Sequence, residues 1–333
     1  LRSKLKRMVL SETKLLRNLR VLSRYCILAG ILISLAFLPF GGLPIEWQIG
    51  LALVALAVGI PHGAVDHLIS VPNSTFTRMT VFIMGYLAVT AVAIWAILVS
   101  PLIGFQAVVI MSAIHFGLGD ASFVADLDAR SQPEAPTADD RPIRRFPRVA
   151  YVIAAGFTPV LVPLVSEQST LALASVNSRL IDWSRGLAPT LFFTAIAVAV
   201  LAILWMLLAR RPQEAIDLAL LLTLAVIAPP LVAFAFYFGL WHALRHTGRL
   251  SLEYQKSTVA HAAGRSWKAF GAAVWAGAPA LVIVLGFTVF LGLGMGFNLQ
   301  KQFLWFLLVV IWALTVPHMI LTLRLDLKAL RRG

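Results

Sequence analysis

Apolar stretches recur along the whole chain, at roughly 24–42, 46–69, 79–100, 103–123, 149–166, 187–209, 214–228, 230–249, 269–293 and 303–323. Most hold about 20 residues, enough for a helix to cross a hydrocarbon core about 30 Å thick. The alternating blocks of about ten residues that mark a membrane β-barrel are absent. The pattern predicts an all-α, polytopic integral membrane helix bundle of about 10 (8–10) transmembrane helices. The segments 214–228 and 230–249 form one apolar run interrupted by Pro229-Pro230. Two adjacent prolines remove two backbone donors and break a helix, so a turn between two short spans is expected there. The span 149–166, with Pro159 and Pro163 inside it, is the least regular.

Composition agrees with the pattern. Of 333 residues, 59% are hydrophobic and 13% charged, against roughly 25% charged in soluble proteins. The net charge of +13 comes from Lys and Arg gathered at the ends of the apolar segments. That placement follows the positive-inside rule and argues against nucleic acid as a partner. Arg2, Lys4, Lys6, Arg7, Lys14, Arg17, Arg20 and Arg24 assign the N-terminus to the cytoplasm, and Lys328, Arg331 and Arg332 assign the C-terminus there too. The expected location is the inner (plasma) membrane, multi-pass, with both termini cytoplasmic. No small-residue cleavage site follows "LAFLPFGGLP", which counts against a removable secretory signal.

Cys26 is the single cysteine, so thiolate clusters are excluded and any metal must be held by nitrogen or oxygen. Of the seven histidines, His62, His67, His115, His242, His246 and His318 fall in or at the ends of apolar segments, and His261 does not. A polar side chain at membrane depth is costly and usually functional, although a single one is often only a hydrogen-bonding partner between helices. The set says more. The spans carrying His62, His115, His242 and His318 all run in one direction, and each histidine lies roughly 12–16 residues in, or about 18–24 Å at 1.5 Å per residue. His246 follows one turn below His242 on the same face. Imidazoles meeting at one level are what a metal between helices requires. Imidazole suits Zn, Cu, Fe and Ni, and an all-histidine set with open positions fits non-haem Fe(II) and oxygen chemistry better than haem or copper. Asp66, at i+4 from His62, and Asp120, at i+5 from His115, are spaced to accept a far ring N–H, to ligate directly, or simply to cap helix ends. Gly59, Gly63, Gly117, Gly119 and Gly239 allow close helix approach. Phe116, Tyr237, Phe238 and Trp241 form an aromatic wall, either for a long apolar substrate or as lipid-facing bulk.

Taken together, "GIPHGAVDH", "SAIHFGLGD", "YFGLWHALRH" and "VPHMILT" resemble the Brp/Blh family of membrane-embedded β-carotene 15,15'-dioxygenases, over about residues 45–325. The resemblance implies an Fe(II)-dependent oxidoreductase that cleaves β-carotene with O2 into two all-trans retinals, in contact with membrane lipid, with a possible functional link to a rhodopsin. It implies His62, His115, His242 and His246 as catalytic metal ligands. His318 matches a family position that is second-shell or substrate-facing, and Asp66 and Asp120 would stand behind the ligands. The expected organisation is a basic interfacial segment 1–25, one transmembrane catalytic domain 26–325 with a mobile cytoplasmic loop 124–148, and a basic tail 326–333. A transporter or proton relay built on the same His/Asp cluster is the rival reading. A bis-histidine haem carrier is another. A desaturase is disfavoured, because "HALRH" alone fits an HxxxH box.

Overall fold

The computed structural model describes residues 2–72, 74–131, 147–296 and 299–332. Among these residues there are helices and connecting turns and no strand. In chain order the helices are α1 (Arg2–Phe37), α2 (Ile45–Gly63), α3 (Asp66–Ser70), α4 (Phe76–Val99), α5 (Pro101–Ser131), α6 (Arg148–Leu164), α7 (Ser169–Val176) and α8 (Ala188–Leu208). They continue as α9 (Pro212–Ile227), α10 (Pro230–Phe234), a π-helical segment (Ala235–His242), α11 (Ala243–Glu253), α12 (Gln255–Ala262), α13 (Ser266–Gly277), α14 (Pro279–Gly294) and α15 (Leu299–Arg332).

Among the described residues, seven helical runs are long and apolar enough to cross a membrane, and α6 with α7, bent by 85°, makes an eighth if the pair is one span. The chain is therefore a multi-pass membrane helix bundle. A count of eight is the lower end of the expected 8–10. The two segments that fall short adjoin the proline pair: α9 has only 16 residues, and the run that follows is divided by the π-helical segment. The break itself lies where the prolines put it. Ala228 (ψ 142°) and Pro229 (ψ 150°) are extended, and Pro230 opens α10, because a residue before proline is forced out of the helical region.

Residues 2–25, expected as an interfacial segment, are helical and continuous with the span that follows. They are the first turns of α1, whose Leu15, Leu16 and Leu19 are fully buried against Phe123, Leu127 and Leu252. Arg20 and Arg24 then reach across to Glu214 and Asp217 of α9. Leu5, Leu10 and Val21 on the same helix stay exposed. The segment expected as loop 124–148 begins as helix, since α5 runs on to Ser131; 132–146 lies outside the described residues. His261 is held between the hydroxyls of Ser11, at 3.0 Å, and Ser251, at 3.3 Å.

Helix α15 packs against α4, α5 and α14, while α2 packs against the π-helical segment. The α5–α6 contact is set by two glycines. A Cβ at Gly117 would stand 2.0 Å from the Val152 carbonyl oxygen, and one at Gly156 would stand 1.9 Å from that of Ala113. Backbones this close exclude any larger residue. Gly156→Leu is expected to destabilise the bundle by about 3 kcal/mol, at the upper end of overpacking costs, because the obstacle is backbone. A lower unfolding temperature in detergent would show it; an unchanged one would mean the helices part freely.

Candidate functional site

Five histidines from four stretches of chain meet in the interior. His62 ends α2 after Pro61, and His115 lies midway along α5. His242 closes the π-helical segment, and His246 follows in α11. His318 follows Pro317 inside α15. All five are buried. His62, His242, His115 and His318 succeed one another around a ring, with centroid separations of 5.5, 5.1, 5.2 and 5.3 Å. His246 stands 5.2 Å from His62, 5.9 Å from His115, 5.6 Å from His242 and 5.4 Å from His318. The rings thus form a pyramid with His246 at its apex. π-helical turns inside α-helices are frequent at functional sites, and this one delivers His242 to the ring.

The ring nitrogens are mostly unspent. His62 Nδ1, His115 Nε2, His242 Nε2, both nitrogens of His246 and His318 Nε2 are buried with no hydrogen-bond partner. His318 Nδ1 lies 2.7 Å from Asp66 Oδ2, and His115 Nδ1 lies 3.5 Å from the Thr322 hydroxyl. Lone pairs left over in a dry interior suit a bound cation, and a nitrogen set without thiolate suits a first-row transition metal. The geometry is slightly open. Among the described residues no group of three or more His, Cys, Asp or Glu side chains is placed to hold an ion as it stands. In such a pyramid, neighbouring rings bonded at right angles to one metal at about 2.1 Å would have centroids roughly 4.5 Å apart, so the cage is wider by about 1 Å. The donor chemistry fits a metal; the rings would have to draw in to grip it.

Above the cage lies a cavity of about 430 Å³ lined almost wholly by apolar side chains. In α2, α5, α15 and the α10–π run, most of its lining residues precede the histidine: Ala52 to Ile60, Phe105 to Ser112, Leu304 to Thr315, and Pro230 to Phe238. His62, His115 and His318 form part of its wall, whereas His246 borders a small recess on the other side, beside Asp126 and Arg249. Phe116, Tyr237 and Phe238 line the cavity. Tyr237 donates its hydroxyl to the Ala155 carbonyl at 3.3 Å, so it presents its ring. His67 lines the cavity as well, but is not one of the five clustered rings.

Two expectations change. Trp241 is not among the cavity residues; it is fully buried and donates its indole N–H to both oxygens of Asp120, at 3.0 and 2.8 Å. Asp120 therefore receives an indole N–H, not a histidine's, and faces Arg245 at 3.7 Å. A carboxylate this deep takes the nearest strong donor, and the Arg245 guanidinium stacks over Trp241 at 3.4 Å. These groups belong to a buried ionic layer that the charge pattern had suggested only as cytoplasmic flank. In it Asp217 meets Arg20 (3.0 Å), Arg24 (2.7 Å) and Arg245 (3.4 Å), and Asp126 meets Arg130 and Arg249, both at 2.9 Å. The signal for it was in the sequence: Glu214 and Asp217 stand inside an apolar run, where an unpaired carboxylate cannot remain.

These features define a multi-pass membrane protein with a histidine cage at the end of an intramembrane apolar cavity. A family model described as beta-carotene 15,15'-dioxygenase matches residues 53–326, and the chain belongs to that family. It is 30% identical over 272 residues to the probable beta-carotene 15,15'-dioxygenase Blh of Halobacterium salinarum, covering 70% of this chain and 72% of that protein. It is 28% identical over 291 residues to a beta-carotene 15,15'-dioxygenase of an uncultured marine bacterium, covering 83% of this chain and 92% of that one. No solved structure matches the chain.

Trp241→Phe would leave the Asp120 carboxylate short of its indole donor. The expected cost is about 1–3 kcal/mol, read as a lower unfolding temperature in detergent; an unchanged temperature would show that Arg245 alone satisfies Asp120.

Proposed function

We propose that this chain opens β-carotene at its central 15,15' double bond with O2 to give two retinals, using a ferrous ion held by the histidine cage. The observation that carries this reading is the set of unspent ring nitrogens at the end of an apolar cavity, in a chain of this family. His62, His115, His242 and His246 hold the ion, and His318 completes the set. Asp66 fixes the tautomer of His318 from behind and strengthens its free nitrogen as a donor. A bound ferrous ion supplies the oxygen chemistry, while the protein supplies position and exclusion of side reactions. Phe116, Tyr237 and Phe238 press the polyene into place and keep water from the reacting bond. A hydrocarbon dissolved in the bilayer reaches such a cavity without crossing water. The paired charges beneath the cage, each arginine facing carboxylates, make a closed layer unsuited to a transport path.

Replacing any one of His62, His115, His242 or His246 with Ala is expected to lower bound iron, measured by metal analysis of the purified protein. The same variants should no longer bleach β-carotene-producing cells, and chromatography should find no retinal. Normal activity in one of them would remove that histidine from the set. Asp66→Asn should retain iron and lose about 10- to 100-fold in activity. Loss of the iron altogether would make Asp66 a ligand.

A further inference from the structure

The cavity has a mouth and a blind end. Among its lining residues only Ile83 and Leu87 on α4 and Ile283 on α14 are exposed; the rest are buried or half-buried. Both helices flank α15, so the cavity opens sideways, toward lipid. Its far end is closed where α6 turns by 85° into α7. There Leu173 and Leu180, 4% and 0% exposed, pack with Phe105 and Trp183.

This end wall is fastened. The Trp183 indole N–H donates to the Leu164 carbonyl at 3.1 Å, and the Gln106 amide donates to the Trp183 carbonyl at 2.6 Å. Phe105 meets Trp183 edge to face at 5.6 Å and Trp312 at 5.5 Å. Phe105 lies ten residues before His115 on α5, or about 15 Å along the helix. Half of a C40 carotenoid, an extended arm of about nine bonds plus one ring, also measures roughly 15 Å at ordinary bond lengths.

Resting on the function proposed above, we infer that the blind limb is a ruler. Leu173, Leu180 and Phe105 stop the leading end group of the carotenoid, and the distance from that stop to the histidines selects the central double bond. The trailing arm lies through the mouth between the lipid-facing helices. The accepted substrates are carotenoids with at least one arm that fills the limb. These wall residues touch the end group, far from the reacting bond, so they set position and leave the chemistry alone.

The test uses the full-length protein in detergent or membranes, with the aldehydes separated by chain length. The wild type must first give two equal C20 aldehydes from β-carotene; if it does not, the proposed function fails before the ruler is tested. Leu173→Trp shortens the limb. With β-carotene it is expected to lose equal cleavage by about 100-fold, since misplacement by about 1 Å can cost that much, or to yield unequal aldehydes. It should still cut an apocarotenal whose shortened arm fits the limb. Equal halves at the wild-type rate would overturn the ruler, as would equal loss on both substrates in a protein that still binds iron. Leu180→Ala, a deletion that spares the fold if Leu173→Trp does not, lengthens the limb and should add unequal aldehydes to the products. Strictly equal products from that variant would likewise overturn it.

Discussion

Inside a bilayer a neutral imidazole must find a partner for each ring nitrogen, because no water is at hand and every unsatisfied group costs on the order of 1–3 kcal/mol. This chain brings five such rings within 5.1–5.9 Å of their neighbours and leaves six of their nitrogens without a protein partner. Packing alone would have no reason to gather that cost in one place. A cation shared by the rings, as proposed above, would offset it, and the rest of the architecture serves to bring the rings together, keep them dry and admit an apolar molecule to one side of them.

The two sides of the cage are built from opposite materials. Toward the helix starts the walls are apolar, and the cavity opens sideways to lipid. Toward the helix ends, arginines from α1 and α11 are locked onto carboxylates of α5, α9 and α15. Helix α11 carries both functions. Arg245 and Arg249 each follow by three residues a histidine, His242 or His246, so the helix that presents the rings is anchored by its own ion pairs. Buried pairs add little net stability, because desolvation cancels most of the attraction, but breaking one is expensive. Their value here lies in fixing the rotation and register of the continuous run, π-helical segment and α11, that carries two of the rings.

The glycines at the α5–α6 crossing act on the same problem by another route. They let α5 sink against α6 until backbone meets backbone, and His115 stands two residues before Gly117 on that helix. The sharp α6–α7 bend then folds the chain over the far end of the cavity. Close packing, paired charge and a bent helix together leave the cavity open sideways, between α4 and α14.

The sequence by itself determined that the chain is a helical membrane protein, that it breaks at Pro229-Pro230, and that His62, His115, His242 and His318 share one level. Each of these depends on local composition or on counting residues along a helix. His318's place among the other rings, Asp120's partnership with Trp241 and the removal of Trp241 from the cavity wall were decided only by tertiary structure. A spacing of four or five residues tells which side chains share a helical face; it does not tell which neighbouring helix that face meets. Asp120 could have served a histidine on its own helix, but an indole and a guanidinium from across the bundle lay nearer. Arg20 and Arg24 were readable only as part of a basic flank, because a charge shows in the sequence whereas its partner on α9, some 190 residues away, does not.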